Sequence, residues 1–185
     1  CMLINPGRDL SIYVDLNNDG NLQNVTIPSR YFGMPTYQRK YRAIELFFER
    51  ASTDKWYLQG SYTLAKSDGN VEGYVNSTLE QSDAGITQDF DHAVFTDGAY
   101  GPLPNDRRHT VKLFGSYQIT VEWRIGANIL LQSGRPRNCN GYLPRNVDYG
   151  IDTGNLQGYS ASSFYCPDGN GGVRLTNRGD QGRTP

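Results

Sequence analysis

Two stretches of this chain, 39–66 and 109–136, alternate apolar and polar residues at every second position, and that period constrains the fold more than any other feature. Side chains point to opposite faces in turn along a strand. In the first stretch Ile44, Leu46 and Phe48 share one face, and Ala43, Glu45, Phe47 and Glu49 share the other. Trp56, Leu58, Gly60, Tyr62 and Leu64 then oppose Tyr57, Gln59, Ser61, Thr63 and Ala65. The second stretch repeats the pattern: Val111, Leu113, Gly115, Tyr117 and Ile119 against Thr110, Lys112, Phe114, Ser116 and Gln118, then Trp123, Ile125, Ala127, Ile129 and Leu131 against Arg124, Gly126, Asn128, Leu130 and Gln132. Each stretch predicts a β-hairpin with one fatty and one polar face. Such a face rests on a protein interior or on lipid. In this register Gly60 and Gly115 each lie two residues from a Tyr on the same face, a spacing that lets a ring cover bare backbone.

Composition bears on that choice. Of 185 residues only 37% are hydrophobic, and the mean hydropathy is -0.62, which is lean for a packed interior. The 21 Gly, 9 Pro and 13 Tyr favour short strands and turn-rich connections over helices. No apolar run reaches the roughly eighteen residues of a membrane-spanning helix, whereas barrel strands of about ten half-polar residues leave hydropathy low. A net charge of -1 provides no basic field, so no nucleic-acid partner is expected. The chain opens at Cys1 and closes at Pro185 within a polar run, which predicts a fragment of a longer protein.

Three further features favour lipid. The strands have the length of a tilted bilayer crossing. Very short connections, at 51–54 and 120–122, alternate with very long ones. Aromatic residues crowd the short-turn ends, where Phe47, Phe48, Trp56, Tyr57, Tyr117 and Trp123 predict an interfacial girdle. At the opposite ends Arg39, Lys40, Arg42, Lys66, Arg107, Arg108, Arg135 and Arg137 predict a cationic rim, placed either to meet lipopolysaccharide phosphates or to snorkel and pair with loop carboxylates. The fold class expected is all-β, a fragment of a transmembrane antiparallel β-barrel with about four to five strands and long extracellular loops. Its parts are a loop at 1–38, a hairpin at 39–66, a long loop at 67–108, a hairpin at 109–136, and at 137–185 a long loop with the start of the next strand. Ile44, Leu46, Leu58, Tyr62, Leu113, Ile125, Ala127 and Ile129 are expected to face outwards; Glu45, Gln59, Ser61, Thr63, Lys112, Phe114, Ser116 and Asn128 are expected to face the lumen.

The segments RKYRAIEL, WYLQGSYTLAKSDGN, NDRRHTVKLFGSY, ILLQSGRP and NRGDQGRTP resemble, in that order and spacing, the barrel of TonB-dependent outer-membrane receptors, particularly the Oar-like subgroup. The resemblance covers 35–66, 104–136 and 175–185 and points to the carboxyl-terminal part of the barrel. It implies a Gram-negative outer-membrane location, energy-coupled uptake of a scarce ligand such as a metal chelate or an oligosaccharide, or export-related work in the Oar-like branch. The implied partners are outer-membrane lipid and lipopolysaccharide, an unknown transported ligand, and TonB reached through an amino-terminal part outside this sequence. It implies no enzyme and no cofactor.

Other motifs compete for a role. Asp15, Asn17 and Asp19 in DLNNDG match the first half of an EF-hand-type calcium loop, but the twelfth position is Thr26 where a bidentate carboxylate belongs, so a turn rich in Asn and Asp is the simpler reading. A secreted all-β adhesion module using that loop is the alternative function. Asp89, Asp91, His92 and Asp97 lie in a Gly- and Pro-rich connection, and its carboxylates read as solvated, with no partner nucleophile or second histidine at a matching spacing. Without a G-x-S-x-G motif, and with His92 and His109 lacking evident partners, a hydrolase is not expected. Cys139 and Cys166 have no zinc-spaced neighbours and predict a loop-closing disulfide in an oxidising compartment, leaving Cys1 over. Arg178-Gly179-Asp180 resembles an integrin-binding tripeptide and is read as the start of a descending strand.

Overall fold

The computed structural model describes residues 8–50, 55–81, 83–85, 87–141 and 162–185. Cys1 and the tight turn at 51–54 lie outside the described residues. The architecture is all-β, and among the described residues the strands form three antiparallel sheets. A small hairpin pairs β1 (Leu10–Val14) with β2 (Gln23–Ile27), so the alternation of Leu10, Ile12 and Val14 is a strand. The main sheet runs β3 (Arg39–Arg50), β4 (Trp56–Gly69), β6 (His109–Gln118), β7 (Arg124–Gln132), and β5 (Gly101–Pro102) pairs beside the end of β4. A third hairpin pairs β8 (Tyr165–Pro167) with β9 (Val173–Leu175).

The main sheet is an up-and-down meander in sequence order, open at both edges among the described residues. Its register follows the period-two pattern. Ile44 faces Leu64, Leu46 faces Tyr62 and Phe48 faces Gly60; Gly60 faces Leu113, and Leu113 faces Ile129. Paired residues lie on the same side of an antiparallel sheet, so the apolar positions of all four long strands form one continuous face. Glu45, Thr63 and Thr110, then Phe47, Ser61 and Lys112, line up across the other. Past β7 the chain comes back: Pro136 bridges Arg183, and Thr184 donates its N–H to Arg135 O at 2.9 Å. The final residues thus begin a further antiparallel neighbour on the free edge of β7. The Arg178 tripeptide sits in the turn before it, not in the strand itself.

No large apolar side chain on the four strands is fully buried; Ile44, Leu46, Ile125 and Leu131 are each about 60% exposed. Burial is concentrated in the connections. Phe90, Val94, Phe95, Ala99 and Leu103 pack with Phe164 and Cys166 into a small core over the long-loop end of the sheet, with Leu103 wholly enclosed. The connection after β4 is therefore a folded cap containing two 3-10 turns, Ser77–Leu79 and Ala93–Thr96.

Candidate functional site

The functional surfaces are the two faces of the sheet and the cap that closes one end. On the apolar face, glycine positions are covered across strands. A Cβ on Gly60 would lie 2.3 Å from Phe48 Cζ and 2.8 Å from Leu113 Cδ2, so the ring of its directly paired neighbour occupies the space. The cover comes from Phe48 and not from a Tyr two residues along the same strand, because directly paired side chains are the closer neighbours. At Gly115 the approach is looser, with Tyr57 O and Leu58 Cδ1 3.1 and 3.3 Å from where a Cβ would stand. Where Gly115 and Ala127 lie side by side the face is indented, leaving an open groove of about 590 Å³ edged by Trp56, Leu58, Tyr117 and Ile125.

The aromatic girdle divides between the faces. Phe48, Trp56 and Tyr117 sit on the apolar side, and Arg50 places its guanidinium 3.9 Å from the Trp56 ring centroid. Phe47 and Tyr57 pair with Ser61 and Ser116 and so belong to the polar side, where Tyr57 OH donates towards Glu49 Oε1 and Gln59 Oε1 and its ring meets Phe114 edge-on at 5.9 Å. Crowding at one end of a strand carries no information on face, and parity separates them. On the apolar side Tyr62 OH hydrogen-bonds His109 Nδ1 at 2.8 Å, which gives that histidine a partner the chain order concealed.

The polar face has a recess of about 320 Å³ beneath the cap, lined by Tyr41, Thr63, Arg107, Thr110, Lys112 and Gln132. Hydroxyls, an amide, an aromatic face and two cations converge there. This set suits a polar ligand recognised by hydrogen bonds.

Polar staples hold the cap to the sheet. Asp106 is fully buried; its carboxylate accepts Ser67 N–H at 2.7 Å and Arg108 Nε at 3.1 Å and pairs with the Arg183 guanidinium. Arg183 also donates to Asp106 O at 2.6 Å and Gly134 O at 3.0 Å. The carboxylate therefore joins the end of β4, the start of β6 and the returning strand, and Arg183 extends the link to Gly134 just past β7. Arg178 is only 4% exposed, donates from Nε to Ala99 O at 2.6 Å and lies over the Phe164 ring. An arginine so enclosed is not displayed for an integrin-type receptor. Gly98 allows this approach, since a Cβ there would lie 2.0 Å from Thr176 O.

The acidic residues of the cap are not simply solvated. Burial pushes the Asp89 carboxyl up, an effect the nearby Arg178 partly offsets, and Asp89 Oδ1 accepts from Asn76 Nδ2 at 3.0 Å. Burial also raises Asp97, whose Oδ2 accepts from Tyr165 OH at 2.9 Å. Cys139 and Cys166 are bonded, with Cα atoms 6.1 Å apart, and Cys166 belongs to the cap core. In the first hairpin Asp15 accepts N–H donors from Asp19 at 3.1 Å and Gly20 at 2.8 Å, which holds its carboxyl below the usual range. Asp19 in turn accepts from Asn21 N. These contacts close a turn around Asn17, and among the described residues no group of three or more His, Cys, Asp or Glu is gathered for a metal.

The rim cations separate into two sets. Arg39 donates to Glu72 O at 2.7 Å, Arg107 to Ser133 O at 2.7 Å, and Arg108 pairs with Asp106; these are part of the cap's own hydrogen bonding. Lys66 pairs with Asp68 at 3.2 Å. Among the described residues Lys40 and Arg42 form no ion pair and are exposed.

With this geometry, similarity to known proteins becomes informative. Over 135 residues the chain is 30% identical to the TonB-dependent transporter Oar of Myxococcus xanthus, a match covering 69% of this chain and 13% of that protein. The similarity supports a relationship with TonB-dependent transporters. The chain spans about an eighth of the length of this relative. No family model matches the chain, and no solved structure does.

Proposed function

We propose that this chain is a segment of the outer-membrane β-barrel of a TonB-dependent transporter in a Gram-negative bacterium, with its apolar face against lipid, its polar face towards the lumen and its cap at the extracellular mouth. The observation that carries the reading is the continuous apolar face of four antiparallel strands, left exposed while the loops build a core. Arg50 lies eight positions along β3 from Arg42, and the apolar side of the strand carries no charge between them. That distance is about 27 Å along the strand, or roughly 20 Å of height at the usual barrel tilt, close to the ~25 Å apolar band of outer-membrane barrels. Similarity to a TonB-dependent transporter supports the same reading. The whole protein then takes up a scarce ligand, a metal chelate or an oligosaccharide, with energy delivered by TonB, and the polar recess under the cap faces the ligand's path.

Spin labels at Ile129 and Asn128 in the full-length protein test the reading. Lipid contact gives high oxygen and low nickel-chelate access at Ile129, with the reverse at Asn128. Low access to both reagents at Ile129 means a packed protein interior and ends the barrel reading. A strain lacking TonB that retained full uptake would turn the transporter into a passive pore.

A further inference from the structure

We infer that Lys40, Arg42 and Lys66 form a binding site for the phosphate of an anionic membrane lipid, at the upper border of the apolar face. The inference rests on that face being turned to lipid. In the register Arg42 stands directly opposite Lys66, and Lys40 directly opposite Asp68, so all four share the apolar side of the sheet. Like charges placed directly opposite each other on one face destabilise a sheet. Asp68 answers only part of this: it pairs with Lys66 at 3.2 Å and is itself 5% exposed, leaving three cations against one carboxylate. The patch therefore lacks an anion, and it is open, with Lys40 and Arg42 exposed and the Lys66 side chain 49% accessible.

The chemistry of the rows beneath identifies the anion. The next pair down the strands is Ile44 with Leu64, then Leu46 with Tyr62, and Ile44, Leu46 and Leu64 are 65%, 62% and 42% exposed. A ligand seated here meets cations at one end and an uncharged apolar surface at the other, which is the layout of a phosphate headgroup with its acyl chains. The guanidinium of Arg42 presents paired N–H donors to phosphate oxygens, and the lysines add point charges from either side. Among the other rim arginines, Arg39, Arg107 and Arg108 are held by backbone carbonyls and Asp106, and Arg135 and Arg137 follow β7, two strands away from β4 in the sheet order.

The test titrates spin-labelled phosphatidylglycerol into full-length protein in detergent, with spin-labelled phosphatidylcholine and inorganic phosphate for comparison. Wild type should hold phosphatidylglycerol in preference to phosphatidylcholine, and the double variant R42Q/K66Q should weaken that retention roughly tenfold. Arg42→Lys, which keeps charge but loses the paired donors, should fall between them. Inorganic phosphate at equal concentration should not displace the lipid, because it lacks the acyl contact. Wild-type retention by R42Q/K66Q overturns the site, as does displacement by inorganic phosphate alone. Should the double variant not assemble, Lys40→Gln at an exposed position carries the same expectation at a smaller fold-change, and unchanged retention there is equally fatal. Lipid access at Ile129 together with unaltered headgroup retention would remove this site and leave the barrel reading standing.

Discussion

The sheet and the cap are made by opposite rules. The sheet holds large apolar side chains in an extended array with almost no internal core, and its order comes from backbone pairing and one cross-strand neighbour per residue. The cap has few large apolar residues, yet it encloses Leu103, Val94 and Phe95 and seats Asp106 and Arg178 among backbone carbonyls and carboxylates. On the proposed reading the difference reflects two solvents: leucines that meet hydrocarbon need no burial, whereas a cap in water buries apolar groups and pairs most of the polar groups it buries, with Asp68 and Asp89 each keeping one buried carboxylate oxygen unbonded.

The largest expected effect lies within the cap. Leu103→Ala should destabilise the cap by about 3 to 4 kcal/mol, since a fully enclosed leucine loses both its transfer energy and its packing. The measurement is amide exchange across 90–106 in the full-length protein, with exchange in the four long strands unchanged. Equal loss in both regions would mean that cap and sheet unfold as one unit.

The sheet yields a matched pair. Arginine at Ile129 should cost roughly 2 to 4 kcal/mol in a refolding titration, and arginine at the adjacent Asn128 much less, because one side meets hydrocarbon and the other water or polar groups. Similar costs at the two positions would remove the distinction between the faces. The Cys139–Cys166 bond spans 27 residues, and its loss in a C139S/C166S variant should weaken the cap by about 3 kcal/mol in the chain-entropy model. Limited proteolysis at the cap reads this effect, and barrel assembly should not change.

Gly60→Ala sharpens the contrast at smaller scale. The added methyl must displace the Phe48 ring, at about 1 kcal/mol, and should do so without altering the cap. Smallest is a pH effect confined to the cap. Burial raises the carboxyl of Asp97 above its unfolded value near 3.8, so its contribution is fully present below that unfolded value and is lost as pH rises through the folded one. Cap exchange protection should therefore decline over that window on raising pH, and Asp97→Asn should flatten the decline. An unchanged profile in Asp97→Asn would assign the dependence to another group, with Asp89 the next to test by the same sign.

The strands were legible because a period of two is a local property, repeated over nine to fourteen residues in each of four segments. The observed register keeps the apolar-face positions of all four strands on one side, with Phe47, Phe114 and Leu130 as the large apolar residues of the other. What alternation did not settle is which neighbour covers Gly60, or that an aromatic residue near a turn belongs to the polar face, as Phe47 and Tyr57 do. Those depend on cross-strand distances. The cap was less legible still, because its core is assembled from single residues far apart in sequence, such as Phe90, Leu103 and Phe164, with no period to announce them. Asp89 and Asp97 looked solvated since composition reports polarity and not burial.

By itself, then, the sequence determined the all-β class, the two hairpins and the separation of an apolar from a polar face, because each is fixed by neighbours along the chain. Only the tertiary structure decided that Asp106 and Arg183 together join four segments, that Arg178 is enclosed and unavailable to a receptor, and that Arg42 confronts Lys66 on the apolar side. The physical reason is common to all three. A charge acquires its meaning from what desolvates or opposes it, and those groups arrive from distant parts of the chain once the strands are in register.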